Sequence, residues 1–131
     1  MQTKTVTQTI EVYASKEEIY NIWMDSKKHS DLIVGTAQID GSVGGEFYIW
    51  DGTVTGKTVE LIPNQKIVQE WRYEYENWPA DFMSKITLEL EEIEDKTIIH
   101  FTHENIPQEY AKELEEGWED YYWKPLRDMF N

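Results

Sequence analysis

The sequence lacks cysteine, has few basic residues and contains no long apolar run. Without cysteine the chain can form no disulfide and offers no thiolate metal ligand or cysteine nucleophile. No apolar stretch approaches the ~20 residues that a membrane-spanning helix needs. The first twelve residues alternate polar with apolar side chains and lack the apolar core of a signal peptide. We therefore expect a cytoplasmic protein without a membrane partner.

Basic residues are outnumbered by acidic ones, 12 against 26, which gives a formal net charge of −14. Affinity for nucleic acids comes mainly from lysine and arginine that neutralise phosphates, so this charge excludes a nucleic-acid-binding function. An anionic membrane surface would repel the chain for the same reason.

Motifs for catalysis and metal binding are missing as well. The glycine-containing segment 41–45 has neither the lysine nor the helix start of a phosphate loop. The three histidines are scattered, which does not suit a zinc site. The acidic segment 104–120 lacks the spacing of a calcium loop and is interpreted as a solvated helix face. We expect no catalytic residue, no metal and no cofactor.

The chain is rich in aromatic residues, which make up 14% of its 131 residues: 6 Trp, 8 Tyr and 4 Phe. This length fits one domain, 1–131, with a single core. Rings carry large apolar area, and tryptophan and tyrosine add a polar group. So many of them indicate either a heavy core or a cavity lined with rings.

The N-terminal third predicts a strand followed by two short helices. Residues 3–12 alternate as a strand does. Ser15 and Glu18 form a capping box that starts a helix over 16–24, with an apolar stripe that includes Trp23. The polar stretch 25–31 predicts a second short helix or a turn.

From Thr36 to Glu104 the hydrophobic period is two, which predicts antiparallel strands joined by hairpins. The predicted strands are 36–40, 46–51, 54–62, 67–75, 82–93 and 97–104. A helix follows over 107–130, bent or interrupted at Gly117 and Pro125. Its expected buried stripe is Trp118, Tyr122, Leu126 and Met129. The fold class is therefore α+β, with a sheet of six to seven strands covered by a long C-terminal helix.

A set of short segments points to one family by its order and spacing. The segments are 43–47, 50–52, Gly56, 60–64, 67–72, 78–79, 97–103, 117–118 and 121–123. Together they resemble the activator of Hsp90 ATPase homologue-like domain, which belongs to the START-like (SRPBCC) superfamily with the helix-grip fold. The resemblance implies a curved antiparallel sheet gripping the C-terminal helix. The resemblance implies a cavity between sheet and helix, which takes an apolar ligand in many members of that superfamily and is closed in others.

The strand alternation and the helix stripes identify the residues that would line such a cavity. The expected ligand-binding residues are Trp23, Phe47, Ile49, Gln69, Trp71, Tyr73, Ile86, Phe101, His103, Trp118 and Tyr122. His103 ends the predicted last strand, so we expect it at the rim, where it either positions a ligand or caps the core. Gln69 either binds a ligand or makes an internal hydrogen bond. His29 and His100 are expected on the surface.

Three functions remain open from the sequence. The first is a non-enzymatic module that holds a small apolar or amphipathic ligand, as a monomer or weak homodimer. The second is a protein-interaction module that assists a chaperone in a stress response. The third is a cyclase- or dehydratase-like enzyme.

The aromatic segment 78–82 either rims the cavity or packs onto a second copy. The resemblance is to one half of the eukaryotic activator, so we expect at most weak stimulation of the chaperone by this chain alone.

Overall fold

Residues of alternating polarity form seven antiparallel strands in the computed structural model, which describes residues 1–130. The strands are Thr3–Val12 (β1), Ala37–Ile39 (β2), Glu46–Ile49 (β3), Val54–Ile62 (β4), Lys66–Tyr73 (β5), Ser84–Ile93 (β6) and Lys96–Pro107 (β7). They join in one sheet in the order β1-β7-β6-β5-β4-β3-β2. The first strand therefore returns to pair with the last, as a helix-grip sheet requires, and the predicted fold class is confirmed.

Two short helices connect β1 to β2, at Lys16–Met24 (α1) and Ser26–Ile33 (α2). The predicted capping box starts α1: the Ser15 hydroxyl accepts from the Glu18 N–H at 3.1 Å, and Glu18 Oε1 accepts from the Ser15 N–H at 3.0 Å. Asp25 caps α2 by accepting from the Lys28 N–H at 2.9 Å. These caps satisfy N–H groups that a helix start leaves without partners.

The C-terminal helix differs from the prediction in its start and its middle. Pro107 is the last residue of β7; a 3₁₀ turn at Gln108–Tyr110 follows, and then Ala111–Trp118 (α3). Glu119–Trp123 is a π-helical turn, and Lys124–Met129 (α4) completes the segment. The interruption therefore falls between Gly117 and Pro125.

Pro125 accounts for this wider turn. It has no N–H to donate to the carbonyl four residues earlier. The preceding N–H, of Lys124, donates to the carbonyl of Glu119, five residues back. A π-helical turn contains one residue more than an α-helical turn, so the residues after it lie on different faces than in a regular α-helix. Trp123 is therefore buried together with Trp118 and Tyr122. The prediction for Met129 was wrong, because this residue is 49% exposed.

Two glycines allow a tight turn and a close backbone approach in the sheet. Gly52 has a φ of +93° in the turn between β3 and β4. Gly56 in β4 lies against its neighbours so closely that an added Cβ would be 1.8 Å from the carbonyl oxygen of Glu70. The inner strands can therefore curve around the C-terminal helix, whose aromatic side chains complete the core.

Candidate functional site

All eleven residues expected to line the cavity are buried, and none is more than 5% exposed. Their rings pack against one another across the sheet–helix interface. The Trp71 and Trp118 ring centroids are 5.0 Å apart, and Trp118 lies 4.5 Å from Phe101 and 4.9 Å from Tyr122. Much of the space between the sheet and the helix is therefore occupied by the aromatic side chains themselves.

Gln69 makes internal hydrogen bonds at the centre of this cluster. Its Oε1 accepts from the indole N–H of Trp23 at 3.0 Å and from that of Trp71 at 3.1 Å. Its Nε2 donates to Thr58 Oγ1 at 3.2 Å. Of the two roles that the sequence left open for Gln69, the structure shows the internal one: the amide fixes two indole rings that meet from α1 and β5.

His103 is not at a rim, which corrects the expected position. The strand β7 continues past it to Pro107, because it pairs with β1 as far as Thr3, and His103 is fully buried. The Trp118 indole N–H donates to His103 Nδ1 at 3.0 Å, so the proton of the neutral ring is on Nε2, which lies 2.8 Å from Ser84 Oγ. Burial lowers the pKa of His103 to about 3. The ring is thus a neutral core group with both nitrogens satisfied.

His29 is also buried, contrary to the expectation of a surface position. Its Nδ1 lies 2.8 Å from the carbonyl oxygen of Trp23, which can only accept, and its Nε2 lies 2.8 Å from the Tyr122 hydroxyl. Burial lowers its pKa to about 4, although the hydrogen bond to Trp23 opposes the shift. The spacing of His29, Leu32 and Ile33, at i, i+3 and i+4, was a signal for a buried helix face. His100 is exposed, as expected.

The aromatic segment 78–82 packs onto the end of β5. Trp78 is buried, its indole N–H donates to the Phe82 carbonyl at 2.9 Å, and its ring lies 5.3 Å from Tyr73. Tyr75 and Tyr110 pack beside it. These rings form a second aromatic cluster, which packs against the end of β5. Two of its members, Tyr73 and Tyr75, also line a groove on the surface.

The groove, which we call the aromatic groove, lies between the C-terminal helix, the end of β5 and the turn after β3, and has a volume of about 500 Å³. Its lining residues are Trp50, Thr53, Tyr73, Tyr75, Glu113, Leu114, Gly117, Trp118, Tyr121 and Tyr122. Three of the eleven predicted residues, Tyr73, Trp118 and Tyr122, line it; the other eight do not. Its size falls in the range of small-molecule sites.

A strained turn forms one wall of the aromatic groove. Trp50 and Asp51 have φ values of 52° and 56°, in the left-handed region that side chains other than glycine rarely adopt. The turn is fixed by Thr36, whose carbonyl accepts from the Trp50 N–H at 2.8 Å and whose hydroxyl accepts from the Asp51 N–H at 3.0 Å. This arrangement places the Trp50 ring 5.8 Å from that of Tyr121.

Gly117 keeps the opposite wall open. It lies inside the helical segment, where glycine costs about 1 kcal/mol relative to alanine. A Cβ added there would meet only Tyr121 Cδ2, at 3.9 Å, so packing does not require a glycine. The missing side chain leaves free volume in the aromatic groove. From the sequence we predicted Gly117 only as a bend or interruption of the helix, and this role was missed.

Two polar groups of the aromatic groove stand out. Tyr73 is 5% exposed, and its hydroxyl forms no hydrogen bond within residues 1–130. No buried side-chain oxygen in that range lacks a partner, so the hydroxyl is open to the aromatic groove that Tyr73 lines. Burial raises the pKa of Tyr73 well above its usual value, so the hydroxyl stays protonated and can donate. Glu113 lies at the exposed end. Burial, and then the charge of Glu113, raises the pKa of Tyr75 to about 12.

Within residues 1–130, no group of three or more histidine, aspartate or glutamate side chains is placed to hold a metal ion. No helix in that range is long and apolar enough to cross a membrane.

Comparisons with known proteins agree with the fold. A model of the family described as activator of Hsp90 ATPase homolog 1-like protein matches residues 13–131. Activator of 90 kDa heat shock protein ATPase homolog 1 from Homo sapiens is 27% identical over 116 residues, which cover 88% of this chain and 34% of that protein. The chain thus spans about a third of the length of this relative.

Two solved structures are similar over almost their whole length. An HSP90 activator from Plasmodium falciparum is 25% identical with a TM-score of 0.87, and the match covers 95% of this chain and 94% of that one. The Aha1 dimer from Colwellia psychrerythraea is 22% identical with a TM-score of 0.81, covering 97% and 96% of the two chains. The second likeness concerns the fold alone.

Proposed function

This chain belongs to the family of activator of Hsp90 ATPase homolog 1-like proteins, and we propose that it is a non-enzymatic binding module. Its aromatic groove would hold a small apolar or amphipathic ligand. The observation that carries the proposal is Gly117. A glycine that lowers helix stability, and that packing does not require, leaves volume between rings where a ligand can sit.

The surroundings of Gly117 support the same proposal. Backbone strain at Trp50 and Asp51 is the kind of cost that proteins retain at ligand sites. The unpaired hydroxyl of Tyr73 offers a hydrogen bond to a molecule in the aromatic groove. A π-helical turn, a feature that is frequent at functional sites, brings Tyr121 and Tyr122 to the same place.

The two buried histidines do not suit an enzyme. A general base works best with a pKa near the operating pH and within reach of a substrate proton. The pKa values of His29 and His103 are lowered to about 4 and about 3, and both rings are hydrogen-bonded inside the core. Neither imidazole lines the aromatic groove.

Filling the space above Gly117 tests the proposal. We expect the neutral probe N-phenyl-1-naphthylamine to bind the parent chain with increased fluorescence. The Gly117→Phe variant should lose at least about tenfold in affinity, because a ring there would occupy the aromatic groove. Gly117→Ala is the matched control: it should bind within about threefold of the parent and unfold with a free energy about 0.5–1 kcal/mol higher. Equal binding by the parent and a folded Gly117→Phe variant would contradict the proposal.

A second candidate function is assistance to an Hsp90-type chaperone. It is favoured by the match to the Plasmodium falciparum HSP90 activator, which this chain covers almost completely. The measurement is ATP turnover by such a chaperone with and without this chain. Turnover that rises several-fold would support this candidate. If Gly117→Phe keeps that effect while losing the probe, the chaperone surface lies outside the aromatic groove.

A further inference from the structure

We propose that the aromatic groove selects ligands by charge: it prefers amphiphiles that carry an ammonium or similar cation and disfavours anionic ones. The inference rests on the proposed function and names the class of ligand. The expected ligand has an apolar or aromatic body, a cationic group at the exposed end and a hydrogen-bond acceptor at the inner end.

The charged lining of the aromatic groove is acidic. Glu113 is the sole charged side chain among its ten lining residues. The helical segment that contributes this wall, 108–120, carries six carboxylates and one basic residue, Lys112. The whole chain adds a net charge of −14. A bound anion would therefore be repelled both at contact and at a distance, whereas a cation would be attracted.

The rings contribute a second attraction for cations. Trp50, Tyr75 and Tyr121 line the aromatic groove together with Glu113. The planes of Trp50 and Tyr121 are inclined by 71° with their centroids 5.8 Å apart, so the two rings do not cover each other face to face. An ammonium group over such faces is stabilised by the negative potential of the rings, and most strongly by tryptophan.

The expected orientation of the ligand follows from two polar groups that lie at different depths in the aromatic groove. Glu113 is exposed, whereas the Tyr73 side chain is buried except where it meets the aromatic groove. Because burial keeps the Tyr73 hydroxyl protonated, it can donate to a carbonyl, ether or hydroxyl oxygen of the ligand. Leu114 and the Trp118 ring offer apolar surface for the body between these ends.

Two probes of opposite charge test the inference. Phenyltrimethylammonium and benzenesulfonate share a benzene ring, and each is titrated against bound N-phenyl-1-naphthylamine in low salt. We expect phenyltrimethylammonium to displace the neutral probe with at least about tenfold higher affinity than benzenesulfonate. Raising the salt to about 0.5 M should narrow the ratio, since the attraction is partly screened there.

The Glu113→Gln variant measures how much the Glu113 carboxylate contributes to the affinity for a cation, and Glu116→Gln is its matched control. Glu116 lies on the same helix, is exposed and does not line the aromatic groove. We expect Glu113→Gln to weaken phenyltrimethylammonium about fivefold and leave N-phenyl-1-naphthylamine unchanged, and Glu116→Gln to change either affinity less than twofold.

The outcomes separate the charge inference from the proposed function. Benzenesulfonate binding as tightly as phenyltrimethylammonium, or equal effects of the two substitutions, would overturn the charge preference while leaving the ligand site intact. Failure of N-phenyl-1-naphthylamine to bind a site sensitive to Gly117→Phe would overturn the proposed function, and the charge inference with it.

Discussion

Replacing Trp71 with alanine is expected to lower the free energy of unfolding by about 3–5 kcal/mol, the range for a large buried aromatic side chain. Trp71 is 1% exposed, and its ring packs between Phe47 at 5.6 Å and Trp118 at 5.0 Å. Its indole N–H also donates to Gln69. The substitution would leave a cavity in the core and would remove one of the two indole hydrogen bonds to Gln69 Oε1.

Denaturant-induced unfolding of the variant and the parent measures this loss. Tyr13→Ala is the control, because Tyr13 is 59% exposed and its removal should cost less than about 0.5 kcal/mol. A loss below about 1 kcal/mol for Trp71→Ala would mean that the aromatic cluster contributes little to stability.

Acidification from pH 7 to pH 5 is expected to destabilise the chain by about 4 kcal/mol through its two buried histidines. In the unfolded chain a histidine takes up a proton near pH 6.5. In the folded chain the pKa values are about 4 for His29 and about 3 for His103. Between the pKa of the unfolded chain and the lower pKa of the folded chain, each histidine binds a proton only in the unfolded state. Stability is therefore complete above pH 6.5 and falls as the pH drops, by about 1.4 kcal/mol per pH unit for each histidine.

Unfolding free energies measured at several pH values test this expectation. His103→Gln and His29→Gln should each remove about half of the slope between pH 6 and pH 5, whatever they cost at pH 7. His100→Gln is the control: His100 is exposed, and its replacement should leave the slope unchanged. A parent chain that is equally stable at pH 7 and pH 5 would show that neither histidine is held neutral.

Features set by nearby residues could be predicted from the sequence. The capping box of Ser15 and Glu18 placed the start of α1, because its hydrogen bonds join residues three apart. The alternation around Trp71 and Phe101 identified the buried faces of β5 and β7, because successive side chains of a strand point to opposite faces.

Features set by distant residues could not be predicted in the same way. His103 lies deep in the core because β7 is prolonged by its pairing with β1, about a hundred residues earlier in the chain. Trp123 is buried and Met129 exposed because a π-helical turn shifts the register of a stripe that was predicted with a period of 3.6. Pro125 predicts an interruption of the helix, but it does not predict which residue the wider turn will bury.

The candidate site was the least predictable part. Alternation tells which side chains face inward, but it does not tell whether the rings fill the space or leave it open. The volume lies nearer the surface than expected, because Trp50 is held by a strained turn and Gly117 has no side chain. Both residues belong to segments on which the family resemblance rested, yet neither was assigned to the site.

Ligand binding in the aromatic groove is best tested by a nitrogen-15 NMR titration that follows the indole N–H resonances as N-phenyl-1-naphthylamine is added. Trp50 and Trp118 line the aromatic groove, whereas Trp78 and Trp123 do not. With a ligand in the aromatic groove, we expect the Trp50 and Trp118 signals to shift with one shared dissociation constant and the Trp78 and Trp123 signals to stay in place. Gly117→Phe should abolish the shifts. Saturable shifts confined to Trp78 or Trp123, or no saturable shift of any indole, would contradict ligand binding in the aromatic groove.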